Sequence, residues 1–200
     1  MIEFLLAALL TADQVALDNE YVRVSRDAAP CASSGPECGD RVVVALGDTE
    51  LVSGHLRRRM ARGDIAVFAP GESYEVAGGG EFFEVAIKPK HPPAQSPGEV
   101  IPPDKNAVRY DGKGFFVFEE RLAPGDTRAR HSHSQRVVMQ LNRARLQQWL
   151  DGQPPFLVET VPERATFSPP VIHVVKNVGD TPLLGIVIEF KPEPASAPSK

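Results

Sequence analysis

The chain carries one sequence frame twice, and no other feature limits its fold so tightly. Residues 41–46 (RVVVAL) read against residues 136–141 (RVVMQL). Upstream, Ala29-Pro30 reads against Ala123-Pro124; downstream, FAPGESY at 68–74 reads against FSPPVIH at 167–173. Each copy closes on a Lys-Pro pair, Lys88-Pro89 and Lys191-Pro192. The offset grows from 94 residues (Ala29 to Ala123) to 103 (Lys88 to Lys191), as it does when loops change length and strands do not. A repeat of that size is a duplicated domain rather than a solenoid unit. Two hundred residues leave room for two small domains that need each other's surface to bury enough apolar area.

Nineteen prolines and sixteen glycines point to many turns and short strands, the pattern of all-β barrels and jelly rolls. Strands are expected at 21–25, 41–46, 65–68 and 82–88 in the first copy. In the second they are expected at 115–122, 136–141, 145–149, 156–159, 173–177 and 183–190. Gly47-Asp48, Gly78-Gly79-Gly80, Asp151-Gly152 and Gly179-Asp180 supply turn chemistry between them. Residues 91–105 are Pro-rich and read as a stiff linker. The domains are therefore expected at 18–90 and 106–192, with a frayed Pro/Ala/Ser tail beyond.

Chemistry is concentrated in the second copy. His131-Ser132-His133 places two imidazoles two residues apart, hence on one face of a strand. His173 follows forty residues later, and a histidine arriving from a distant strand can close the third corner of a metal site. Imidazole suits several divalent transition metals, and a facial set of ligands with open positions leaves room for substrate and oxygen. Pro124-Gly125-Asp126 stands before the pair, the Pro-rich turn 168–170 before His173, and Asn177 four residues after it. In the first copy Pro36 and Cys38 occupy the places of the His pair, Tyr74 that of His173 and Gly78 that of Asn177. That half is expected to bind no metal, with Tyr74 filling its core and its hydroxyl bonded.

This layout resembles the two motif blocks of the cupin superfamily: a glycine and His-x-His, then a Pro-rich turn, a His and an Asn. The resemblance covers about residues 18–192 and implies two tandem cupin (jelly-roll) barrels. It also implies one divalent ion per chain, Fe, Mn, Zn or Ni, on His131, His133 and His173. The sequence departs from the family pattern at one place. Cupins commonly carry a Glu three or four residues after His-x-His, where this chain has Val137 and Val138. Three outcomes follow from that loss. The site is a three-His centre similar to the cysteine and diketone dioxygenases of the superfamily. Alternatively another group completes it, Gln135 first and Glu119 or Glu120 next. Otherwise catalysis is gone and the cavity only binds or senses a small molecule, with a structural metal or none. The enzyme reading is a metal-dependent dioxygenase, ahead of an isomerase or lyase, acting on a small anionic or oxygenated molecule.

The remaining residues take plainer roles. If the strand after the His pair continues in register, Val137, Met139 and Leu141 line the cavity. Arg128 and Arg130 alternate with the histidines and are expected to face outward in surface ion pairs. Arg121 or Arg136 can hold a substrate carboxylate at a cavity rim, though pairing with a Glu is the commoner job of such a residue. Asn177 is expected to fix a turn, and His55 and His91 are assigned no role. Arg57-Arg58-Arg59, with Arg62, reads as a solvated loop or hairpin edge. A net charge of −4 with both signs interspersed lacks the basic stripe nucleic acid requires.

The apolar run 4–10 is far too short to span a bilayer and lacks the preceding positive charge of a signal peptide. The residues favour a cytoplasmic protein, with export instead if residues 1–12 are cleaved. Uncleaved, the segment 2–10 needs a surface to cover it, in its own chain or in a homodimer. Cys31 and Cys38 read as free thiols, or as a small disulfide ring in an exported protein.

Overall fold

The computed structural model describes residues 14–27, 39–92, 102, 104 and 106–191. The N-terminal apolar run, Cys31, Cys38 and most of the linker lie outside that set. In the first half the strands are β1 (Gln14–Asp18), β2 (Val22–Arg26), β3 (Arg41–Ala45) and β4 (Thr49–Ser53). They continue with β5 (Leu56–Met60), β6 (Ile65–Phe68), β7 (Glu75–Ala77) and β8 (Phe82–Ile87). The second half has β9 (Asn106–Asp111), β10 (Phe115–Leu122), β11 (Thr127–His133), β12 (Arg136–Gln140) and β13 (Arg145–Leu150). It ends with β14 (Phe156–Glu159), β15 (Arg164–Ser168), β16 (Val171–Asn177) and β17 (Leu183–Phe190). No helix long and apolar enough to cross a membrane occurs among the described residues.

Each half is a pair of antiparallel sheets. The first half sets β1-β2-β8-β3-β6 against β5-β4-β7, and the second sets β15-β12-β17-β10-β9 against β11-β16-β13-β14. This is the expected all-β architecture of two tandem jelly-roll barrels. The two five-stranded sheets share one apolar cluster, with Val42, Val44, Phe83 and Val85 from one half meeting Val137, Met139, Ile186 and Ile188 from the other. That sharing explains why β3, β8 and β17 are buried on both faces and read as nearly unbroken apolar runs. One face serves the barrel interior and the other serves the junction. Glu163 adds a polar clasp at the junction, pairing with Arg26 at 2.8 Å and Arg62 at 3.2 Å.

Two expectations are corrected by this arrangement. Val137, Met139 and Leu141 do not line the second cavity; they are fully or almost fully buried in the shared cluster. Strands β11 and β12 belong to different sheets, so alternation does not carry across the corner at Ser134-Gln135. The cavity instead receives the other face of β12, with Arg136, Val138 and Gln140. Arg128 does not face solvent either: it is 0% exposed and paired with Glu120. The pairing of β11 with β16 slips between Arg128 and His131, where three steps on β11 match two on β16. Such a bulge reverses the side that preceding residues face, bringing Arg128 to the histidine side. Arg130 keeps its expected place in an exposed pair with Asp151, 2.6 Å.

The first barrel is plugged. Val43, Leu51, Met60, Phe68, Tyr74 and Phe82 pack inside it. Tyr74 is buried, its hydroxyl bonds the buried carboxylate of Glu84, and the guanidinium of Arg41 lies 5.8 Å from its ring centre. Burial, with the Glu84 charge next, pushes the Tyr74 phenol well above its ordinary range, so it stays a neutral donor. Arg57, Arg58 and Arg59 form the exposed edge strand β5, as the sequence suggested.

Candidate metal centre

The register of β11 on β16 places His131 directly opposite His173, and His133 lies two residues along on the same face. The turn that launches β11 fixes this alignment. Gly125 takes φ +82°, a conformation open to glycine at little cost, and its N–H donates to Asn177 O at 2.9 Å. Asn177 is fully buried; its amide donates to Leu122 O and Thr181 O, and its oxygen accepts from Gly179 N–H. Its role is the turn, as expected.

The three imidazoles converge. His131 Nε2 lies 3.0 Å from His133 Nε2 and 3.1 Å from His173 Nε2, and the set is the one His/Cys/Asp/Glu cluster with metal-ligand spacing among the described residues. Each ring is held from behind by an acceptor on its other nitrogen. His131 Nδ1 meets Ala129 O at 2.7 Å, His133 Nδ1 meets Glu189 Oε2 at 2.7 Å, and His173 Nδ1 meets Gln148 Oε1 at 3.2 Å. A carbonyl or carboxylate oxygen only accepts, so Nδ1 carries the proton in each ring. Three bare Nε2 lone pairs are therefore aimed at one another. Phe118, stacked on His133 with 6° between planes, limits that ring's rotation.

Burial keeps His131 and His173 neutral. It lowers the pKa of His131 to about 4 and that of His173 to about 2, the like-charged neighbours adding to the effect. Neutral lone pairs crowded together repel, and the arrangement is stable when a cation sits among them. Two nitrogens each about 2.1 Å from a shared ion are about 3.0 Å apart at a bond angle near 90°, and about 3.4 Å apart at the tetrahedral angle. The two separations from His131 match the former, and all three ligand atoms lie within 4.8 Å of one another.

His133 and His173 open onto a cavity of about 240 Å³. Its polar lining includes Glu120, Arg136, Gln140, Gln148, Thr166 and Ser168, so it is more polar than expected. Of the groups named from sequence, Arg136 reaches this cavity and Arg121 does not. Arg121 bonds Glu119 through Nε at 2.9 Å. Burial alone would raise the Glu119 pKa, but hydrogen bonds from Arg109 and Arg121 carry it below the usual range. Glu120 lines the cavity with its carboxylate anchored by Arg128. Gln135 is not among the lining residues, and its buried Oε1 takes no hydrogen bond among the described residues. Sequence reasoning passed over Glu189 and Gln148. For Glu189 a signal existed: one charge in an otherwise apolar strand, LLGIVIEF.

No family model matches the sequence, and no curated protein matches it. Solved structures do. A putative glyoxylate-induced protein from Pseudomonas aeruginosa is 14% identical with a TM-score of 0.63, over 92% of this chain and 80% of its own. The Lactobacillus farciminis oxalate decarboxylase, solved as a formate complex, is 14% identical at 0.57, over 86% and 77%. A cupin 2 conserved barrel domain protein from Leptotrichia buccalis is 16% identical at 0.51, over 88% and 86%. The chain has a cupin fold. It has it twice, and the histidine cluster belongs to the second cupin barrel alone among the described residues. At such identities the likeness carries the fold and leaves the chemistry to the residues.

Proposed function

We propose that the second cupin barrel binds one divalent metal ion through His131, His133 and His173 and acts on a small anionic molecule as an oxygenase-type enzyme. The observation that carries the metal is the ring geometry: each Nδ1 faces an oxygen acceptor, and the three Nε2 atoms turn inward, His131 lying 3.0 Å from His133 and 3.1 Å from His173. A bound ion would supply Lewis-acid polarisation of substrate oxygen and, as iron, activation of dioxygen. Everything else in the cavity is the work of this chain.

The lining supports an anionic guest. Three neutral imidazoles bring no charge of their own into contact with a divalent ion, and the nearest carboxylate, Glu189, sits behind His133. Arg136 adds a cation at the wall; burial lowers its pKa, and Nη1 alone is engaged among the described residues, by Ser134 O and Pro169 O. A planar guanidinium with free donors suits a carboxylate. Glu120 at the cavity wall is largely balanced by its pairing with the buried Arg128. At ~30 Å³ per water, a cavity of about 240 Å³ has room for about eight waters, which suits a small guest. Gln140, whose Oε1 is buried without a partner among the described residues, offers that guest an acceptor.

The test is oxygen uptake by iron-loaded protein against a panel of small keto and thiol acids. Uptake dependent on one acid, and lost in Arg136→Met while iron is retained, supports the reading. Iron-loaded protein that binds such acids without consuming oxygen or converting them would make the second barrel a binding site and overturn the oxygenase assignment.

A further inference from the structure

The carboxylate missing from the ligand set has a counterpart one step further out. Glu189 lies on β17 opposite Arg136 of β12 and is 7% exposed. Its Oε2 accepts from His133 Nδ1 at 2.7 Å, and its Oε1 accepts from Ser134 N–H at 2.7 Å and Ser134 Oγ at 3.1 Å. All three donors come from the strand end that carries His133. Burying a carboxylate is costly unless charge or hydrogen bonds answer it; here the three donors and the charge of Arg136 opposite answer it together. A second observation ties it to the histidine. In the duplicated frame Arg41 pairs with Ala86, where Arg136 pairs with Glu189. The half without the histidines has alanine at the position where the half with them has the buried carboxylate.

We propose that Glu189 is a positioning residue for the metal centre, supplying from behind His133 the negative charge that a carboxylate ligand would otherwise bring. This rests on the three-His metal reading. The carboxylate fixes the His133 tautomer with Nε2 inward and makes the imidazole a stronger donor. An outer partner of this kind is worth about 10- to 100-fold in metal affinity. The imidazole stands between Glu189 and the site, so the carboxylate tunes the centre without taking one of its open positions.

The experiment measures Zn(II) affinity by competition with a chromophoric chelator in wild type, Glu189→Gln and Ser134→Ala, alongside melting of the metal-free proteins. Glu189→Gln keeps the shape and removes the charge; it is expected to weaken Zn(II) about 10- to 100-fold at a similar melting temperature. Ser134→Ala loosens the strand end but spares the contact with His133, and should cost less than about threefold, well under that range. Wild-type affinity in Glu189→Gln overturns the proposal and leaves the metal site standing. Equal losses in both variants overturn it too, marking Glu189 as scaffold. A wild type that binds no Zn(II) overturns both readings. Imidazole ¹⁵N spectra of the wild type give a check that needs no variant. They should show His133 with a downfield Nδ1 proton, and an Nε2–H tautomer there would end the proposal.

Discussion

His131 and His173 set how the metal-free protein responds to acid. In the unfolded chain an imidazole titrates near ~6.5, whereas burial holds these two at about 4 and about 2 in the folded state. Between pH 6.5 and 4 the unfolded chain therefore binds more protons than the native one. Stability is full above pH 6.5 and falls as the pH drops. The urea midpoint of metal-free protein should be lower at pH 4.5 than at pH 7. His173→Gln, lacking one such group, should lose less over the same interval; equal losses would contradict the assignment. The same scale shows what the sequence could and could not convey. His131, His133, His173 and Asn177 announced themselves by spacing, because metal ligation and turn geometry demand particular residues at particular intervals. Glu189 and Gln148 each reach the centre through one hydrogen bond to a histidine, and no local pattern records such a partner.

At the scale of elements, the bulge in β11 has a measurable consequence. It turns Arg128 inward against Glu120 and leaves Arg130 outside with Asp151. Arg128→Met removes a fully buried cation from the partly buried Glu120 carboxylate and should cost clearly more than about 1 kcal/mol, the ceiling for an exposed pair. Arg130→Ala removes an exposed pair and should cost less than about 1 kcal/mol. Urea denaturation of the two variants checks the contrast, and similar costs would show Arg128 to be as solvated as alternation implied. Period-two reasoning failed here because the strand is not uniform, and it failed for Val137, Met139 and Leu141 because the chain changes sheet at Ser134-Gln135. The legible strands are the central β2, β3, β8, β10, β12, β13, β16 and β17, together with the edges β6 and β14. Those missed are β1, β5, β7, β9 and β15, all at sheet edges, and the central β4. Half-solvated edges are free to carry polar residues, so LRRRM in β5 fits a loop as well as a hairpin edge.

For the whole molecule, the duplication announced two barrels, and the shared cluster between their five-stranded sheets makes them depend on each other. Ile188→Ala, at a fully buried junction position, should cost about 2–5 kcal/mol and lower one cooperative transition for both halves. Two resolved transitions would contradict that coupling. The two barrels also solve the same problem in different ways. The first fills its interior with Tyr74, Glu84 and Arg41, and the second keeps its interior open behind three inward lone pairs. Metal content therefore tests the account most directly. Protein purified without chelator should carry one divalent ion per chain by elemental analysis. Tyr74→Phe should retain it, and His173→Ala should lose it while its far-ultraviolet circular dichroism stays that of the wild type. Wild type without metal, or a His173→Ala variant that keeps the full complement, would contradict the account.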